Sequence, residues 1–470
     1  MSFIEPIFGI FLLLTIGLYS ASSAAAKLSR KFSFLPIITL LVCSLFFYGF
    51  FRLDYLFLLL IPTALIAYYS SYLMTINKRK WLLLLVGVSL MAGPLLIFKY
   101  YDFLARVLFI SSSPLGLALP LGISFFTFQN ISYIVGRYRG GMPPARNFVH
   151  YLTYISFFPQ LVAGPIVTAG QFLPQLDDRT RKMCREIGII TVYLLSGYLK
   201  KAVLADRLGA IVDPVYASPG SYGSLGIGTA VLAYSLQIYF DFSGYSDMAL
   251  GLGRIFGFKL PENFNFPYSA RGFREFWRRW HITLSMWLRE HIYVPLGGSR
   301  RGPAVLVFSL LATMALGGLW HGAHWNFVFW GLAHGLLLVI ERFIPDSRAS
   351  GRFYRSFYLA LTFILVTLLW IPFRAGLQPA HGLADRGSLA WDIFRGLFSL
   401  RDGPYSESSL RFTLLCYAGL VLAAKFYEPL RTAYLKLGPL RQGVLAAFGA
   451  LAVTLLFFQG DSSAFIYFVF

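Results

Sequence analysis

Charge is what this chain has least of. Only 13% of its 470 residues are Asp, Glu, Lys or Arg, where a soluble domain carries about 25%. No hydrophilic stretch is long enough to form a separate water-soluble domain. Acidic residues are scarcer than basic ones, 21 against 41, which leaves a formal charge of +20. In a soluble protein that excess would suggest nucleic acid; in a chain that is 57% hydrophobic it marks cytoplasmic loops. Cysteine is almost missing as well. Cys43, Cys184 and Cys416 lie far apart with no CxxC spacing, which excludes a disulfide framework and a cysteine zinc site. Those in apolar surroundings read as small packing residues. There is no fixed-period repeat, no Walker A loop and no GxSxG elbow. Gly251, Gly253 and Gly257 imitate a dinucleotide loop, but no βαβ unit surrounds them.

What the chain has is apolar residues in blocks. Phe34–Phe51, Tyr55–Tyr72 and Trp81–Phe98 are each about 18 residues long and nearly free of charge, close to one bilayer crossing. They are solidly apolar, so a β-barrel with its alternating pattern is excluded. The class is all-α, a polytopic integral membrane protein. Counting Phe3–Ser20 and the later segments Leu119–Val135, Val149–Val167, Ile187–Leu199, Leu225–Phe240, Pro303–Trp320, Trp325–Ile340, Phe357–Ile371, Phe412–Ala424 and Gly443–Phe458, about 11–13 helices are expected in the membrane. Several are short or broken by Pro and Gly, as buried or re-entrant helices are. Glu5 precedes the first segment while Lys27, Arg30 and Lys31 follow it, the reverse of a secretory signal. With Lys78, Arg79 and Lys80 after the third helix, the basic loops alternate and put the N-terminus outside the cytoplasm. One membrane domain over 1–470 is expected, with a catalytic core at about 119–345.

Between Tyr239 and His334 the composition changes to aromatic, basic, histidine and glycine residues. Polar groups are costly in a bilayer, so they face a bundle interior or a wet cavity; this interval is the functional candidate. Read as one helix, Arg271–Arg289 places Arg271, Arg274, Arg278 and Arg289 within roughly 60° of one another. Phe273, Trp277, Trp280, Leu284, Trp287 and Leu288 fall opposite, with His281 at the border. Such a helix either lies in the interface with arginines on lipid phosphates or rims a cavity for a phosphate-bearing donor. Downstream, Leu316–Trp325 sets His321 and His324 three residues apart, between Trp320 and Trp325 and beside three glycines. A membrane histidine can accept a proton near neutral pH or serve as a hydrogen-bonded structural group. Without a carboxylate or cysteine beside them, no metal is expected. Asp241 and Asp247 end an apolar segment, either as ion-coupling carboxylates or, more simply, hydrogen-bonded to nearby Ser and Tyr hydroxyls.

These residues carry a resemblance. YFDFSGYSDMALGLGRIFGFKLPENFNFPY, FREFWRRWHITLSMWLREHIYVPLGGSR and LGGLWHGAHWNFVFWGLAHG are similar to the central block of the membrane-bound O-acyltransferase family. More narrowly, they resemble its bacterial alginate O-acetyltransferase-like polysaccharide branch. SFFTFQNISYIVGRYRG, YISFFPQLVAGPIV and WIPFRA fit the same branch, and teichoic-acid D-alanyl transferases are less similar through FWRRWH. The resemblance implies a ring-like bundle with a thin centre and a channel. It implies catalytic roles for His321, in the WHG motif, and for His281, and gives none to His324. Arg274, Arg278, Trp277, Trp280 and Asp241 are the candidate donor- or substrate-binding residues.

The implied reaction moves acetyl from acetyl-CoA or another acyl thioester, free or on a carrier protein, with no bound cofactor. His321 would take the hydroxyl proton, while His281 or backbone N–H groups of the glycine-rich turn would stabilise the oxyanion. The chain has no hydrolase-like extracytoplasmic domain, so a separate extracytoplasmic acetyltransferase partner is expected, in a bacterial inner membrane, with lipid around it. The acceptor stays open among alginate, cellulose, another exopolysaccharide, peptidoglycan and teichoic acid. A transporter or flippase, using Asp241 and the histidines as a proton relay, would show a pseudo-symmetric repeat, and none is visible. A scaffold without chemistry is the third reading.

Overall fold

A computed structural model describes residues 2–108, 115–162, 164–178, 183, 186–344, 351–378, 383–438, 441–445 and 447–449. Among them every regular element is a helix, and ten stretches are long and apolar enough to cross a membrane. These are Pro6–Leu28, Arg30–Phe51, Leu53–Ile76, Lys80–Val107, Ile187–Ala217, Ser224–Ile255, Pro303–His321, Trp325–Phe343, Phe353–Gly376 and Glu407–Leu435. The protein is a multi-pass membrane protein. Two further apolar segments, Leu119–Val135 and Val149–Val167, form shorter helices, Ile123–Tyr138 and Phe148–Ser156, the second followed by a turn at Phe158–Leu161. The expected segment Gly443–Phe458 lies largely outside the described residues, as does Cys184.

Large apolar side chains such as Leu13, Leu14, Phe57, Leu58 and Leu85 stand outward on these helices, where only lipid can accommodate a continuous apolar surface. The helix Ser224–Ile255 is different. Its apolar window is 83% buried, against 11% for Lys80–Val107, so it is an interior element.

The chain divides into two compact units, Met1–Leu194 with Tyr245–Pro261, and Leu195–Gly244 with Glu262–Phe470. In the first, Pro6–Leu28 packs on Leu35–Phe51, and Phe8, Phe11 and Phe47 from these helices meet one another and Phe158 at 5.3–6.3 Å in tilted or edge-on pairs, as aromatic quadrupoles favour. Ile123–Tyr138 packs on the helices at Ile61–Ile76 and Lys80–Leu95. Cys43 is buried in this unit and Cys416 in the other, as packing residues.

In the second unit Pro303–His321 and Trp325–Phe343 form a hairpin joined by three residues. Their backbones nearly touch. A Cβ on Gly318 would stand 2.1 Å from the Phe327 carbonyl oxygen, and one on Gly331 would stand 2.1 Å from that of Met314. Only glycine permits that approach, and it fixes where His321 falls relative to the second helix. Around the hairpin is a core of large rings, with Tyr239, Phe276, Trp277, Trp280, Phe327, Trp330, Trp370 and Phe373 all buried.

Candidate active site

The Arg271–Arg289 segment is not one helix. It forms Phe273–Trp277, a break, Ile282–Leu288, and then a wider turn at Arg289–Tyr293. The reason lies outside the segment. Buried Asn263 accepts the Ile282 N–H on its backbone carbonyl (3.0 Å) and the Thr283 N–H and hydroxyl on Oδ1 (3.2 and 2.9 Å). Asn265 N–H donates to the Arg279 carbonyl at 2.9 Å. These bonds replace those a continuing helix would supply, and His281 turns into the left-handed region at φ 42°, a costly conformation for a side chain with a Cβ.

Two parts of the one-helix reading survive and one does not. Phe273, Trp277, Trp280, Leu284, Trp287 and Leu288 are buried, Arg271, Arg278 and Arg289 are exposed, and Arg274 is half-buried. His281 does not sit at a border: the turn drives it inward, to 0% exposure. Arg279, which the helical arithmetic left out, pairs with Glu275 at 2.7 Å. Glu341 supplies a further anchor by accepting the Arg274 N–H at the helix start (2.9 Å), where a carboxylate also meets the helix dipole.

The Asn263 bond fixes the chemistry of His281. Because Asn263 Oδ1 accepts from the Thr283 amide, the atom 3.2 Å from His281 Nδ1 is an oxygen. His281 Nδ1 is therefore the protonated nitrogen, and the lone pair is on Nε2. Burial pushes the pKa of this imidazole down to about 3, so it stays neutral at physiological pH and offers an acceptor.

His321 is the last residue of its helix and is buried; Gly322 leaves the helix in extended conformation. Its ring is 4.8 Å from Trp320, 5.3 Å and perpendicular to Trp330, and 5.1 Å from Phe373. Trp320 is in turn 5.9 Å from His281, whose ring also meets Phe242 at 4.6 Å. The two sequence-predicted histidines thus share one tryptophan, although 40 positions separate them. His324 has a local duty: its Nδ1 accepts the Asn326 N–H at 3.1 Å and caps the helix Trp325–Phe343.

Asp241 is buried and has an ionic partner, Lys201, 2.8 Å away, which its neighbours in sequence did not indicate. The same Nζ is 2.8 Å from Asp206. Lys201 reaches both carboxylates from a π-helical turn, Leu199–Ala205, a local widening that re-aims side chains within a helix. Asp247 is half-buried and belongs to the other unit. Trp280 is fully buried against Phe276 and Trp370, at 5.7 and 5.0 Å.

Sequence reasoning missed His334. It is 0% exposed and packs 4.8 Å from Trp330 and 5.3 Å from Trp277. The available signal was its spacing, one turn after Trp330 on the face that carries it.

Residues 144–346 match the model of the membrane-bound O-acyltransferase family. The chain is 37% identical over 429 residues to the probable alginate O-acetylase AlgI of Azotobacter vinelandii, covering 88% of this chain and 81% of that protein. Identity to the peptidoglycan O-acetyltransferase of Helicobacter pylori is also 37%, over 72% of this chain and 71% of that protein. The teichoic acid D-alanyltransferase of Bacillus subtilis is less similar, at 29% over 49% of this chain and 60% of its own length.

Proposed function

Because the chain belongs to the membrane-bound O-acyltransferase family, in its alginate O-acetylase-like branch, it is an O-acyltransferase, and we propose that it moves acetyl groups from a cytoplasmic thioester donor across the membrane for O-acetylation of an exopolysaccharide. The observation that carries this reading is the pairing of His321 and His281 across Trp320 inside a buried aromatic core. His321 takes the proton of the attacking hydroxyl. The neutral His281, with its lone pair on Nε2, accepts a hydrogen bond and orients the reacting group. Arg274 and Arg278 meet the phosphates of a donor such as acetyl-CoA. Trp277 and Trp280 wall the acyl group. Asp241, held by Lys201, fixes the helix that delivers Phe242 to the His281 ring.

In this reading the protein sits in a bacterial inner membrane with its N-terminus outside, and a separate extracytoplasmic acetyltransferase finishes transfer to the polymer. Peptidoglycan is the second acceptor, favoured by the equal identity of the Helicobacter protein.

The test is His321→Ala in cells that make the polymer. Loss of a general base lowers the rate on the order of 10²–10⁴-fold, so acetylated polymer should vanish while protein level and membrane insertion stay near normal. Full acetylation by well-expressed variant protein would remove the catalytic assignment.

A further inference from the structure

Acyl transfer develops negative charge on the acyl carbonyl oxygen, and hydrogen-bond donors set in place beforehand stabilise it. His281 has its proton on Nδ1, committed to Asn263, and its Nε2 is an acceptor. In the turn after His321 the Gly322 and His324 N–H groups donate to the Leu319 and Gly322 carbonyls, at 3.2 and 2.9 Å. These three N–H groups are committed.

Uncommitted donors occur on three rings that pack together, one of which, Trp330, meets His321. Trp277, Trp330 and His334 pack as a triangle with centroids 5.7, 4.8 and 5.3 Å apart, and Trp330 is the ring perpendicular to His321. Their exposures are 9%, 1% and 0%. Trp277 Nε1, Trp330 Nε1 and both nitrogens of His334 have no hydrogen-bond partner among the described residues. Buried indole and imidazole nitrogens are normally paired, and four orphans on three touching rings are a concentration that packing does not require. Phenylalanine or leucine would fill the same space without burying a polar atom. The set is rich in donors, with two indole N–H groups and one N–H of a neutral imidazole, and it carries no carboxylate. A group that only accepts hydrogen bonds, enclosed by aromatic walls, fits it.

We propose that Trp277, Trp330 and His334 form the acyl-carbonyl subsite, donating hydrogen bonds to the carbonyl oxygen of a short acyl thioester beside His321. This rests on the acyl-transfer reading above and deepens it. As the hydroxyl oxygen bonds to the acyl carbon, the C=O π pair moves onto the oxygen, where these N–H groups hold the oxyanion, and His321 takes the hydroxyl proton. Collapse re-forms C=O and breaks the C–S bond, and the thiolate leaves with the proton from His321. Donors in place before the reaction stabilise that charge without reorganisation.

The experiment uses the full chain in proteoliposomes with two probes, acetyl-CoA and the ¹³C-carbonyl methyl-ketone analogue of acetyl-CoA, in which CH₂ replaces the sulfur. Trp330→Phe and Trp277→Phe keep an aromatic wall and remove one N–H each. Each should lower kcat about 10²-fold with donor KM nearly unchanged, and should raise the carbonyl stretching frequency of the bound analogue. His334→Ala should do the same, and His334→Asn, which retains an N–H, should restore part of both. Folded Trp330→Phe and Trp277→Phe proteins with wild-type kcat and an unshifted carbonyl band would overturn the subsite and leave acyl transfer standing. Wild-type protein that neither binds the analogue nor transfers acetyl would overturn the acyl-transfer reading itself. A lowered kcat with an unmoved band would reduce the rings to packing and also overturn the proposal.

Discussion

Two buried aromatic clusters of this protein, one in each unit, treat their polar tips in opposite ways. In the first unit Tyr133, Tyr151 and Tyr154 lie together, and each hydroxyl is matched. Tyr133 accepts the Ala145 N–H (2.9 Å), Tyr151 donates to Asn130 Oδ1 (2.6 Å), and Tyr154 donates to the Val167 carbonyl (2.8 Å). In the second unit Trp277, Trp330 and His334 are also buried and have their nitrogens unmatched among the described residues. A matched buried polar group adds order at little net cost. An unmatched one forfeits about 1–3 kcal/mol of hydration, a penalty that scaffold residues avoid and reactive sites accept. The contrast belongs to these two clusters and not to the units as wholes: Tyr48 in the first unit has an unmatched hydroxyl among the described residues, and Trp370 and Tyr268 in the second are matched.

The comparison can be broken from its matched side, and the largest effect is expected at Lys201. Its ammonium lies 2.8 Å from both Asp206 and Asp241, so Lys201→Met takes the cation from a buried carboxylate, Asp241, and a part-buried one, Asp206. Removing one partner of a buried ion pair costs about 3–5 kcal/mol, read as a lower midpoint of thermal unfolding in detergent. Adding Asp206→Asn and Asp241→Asn should recover much of the loss. An unchanged midpoint in the single variant would show that the cluster does not hold the fold.

Next in size is the arginine pair. Reversing Arg274 and Arg278 together to Glu should raise the KM for acetyl-CoA by about tenfold, the scale of one charge-assisted hydrogen bond, at normal protein level. An unchanged KM in folded protein would return these arginines to lipid anchoring.

The smallest effects sharpen the contrast. Tyr151→Phe and His324→Ala each remove one local hydrogen bond, to Asn130 and from Asn326, and each should cost about 1 kcal/mol of stability with polymer acetylation retained. A large loss of acetylation in either would extend the reactive region beyond the unmatched rings.

Much of the scaffold was readable along the chain because a bilayer demands long, continuous apolar helices. Ten of the apolar segments correspond to ten spanning helices, while Leu119–Val135 and Val149–Val167, not distinguished from the others along the chain, form shorter helices. His321 stood out for the same reason: a histidine between tryptophan and glycine in an apolar segment has few ordinary uses. His334 closed the same interval without being given a role, since nothing local distinguishes a matched buried histidine from an unmatched one.

The sequence alone determined the membrane class, the family resemblance, the helix positions and the burial of one face of Arg271–Arg289, all of which follow from composition and from periods of a few residues. Tertiary structure decided the rest. Asn263 and Asn265 broke a helix that the period predicts, because they offered its backbone other hydrogen bonds. Asn263 also fixed which nitrogen of His281 holds the proton. Lys201 claimed Asp241 from 40 positions away, and Gly318 with Gly331 brought two backbones close enough to set Trp330 against His321. Helical periodicity records only what a residue's own neighbours ask of it. Hydrogen-bond partners and ring contacts supplied by distant parts of the chain have no period, and they exist only once the chain has folded.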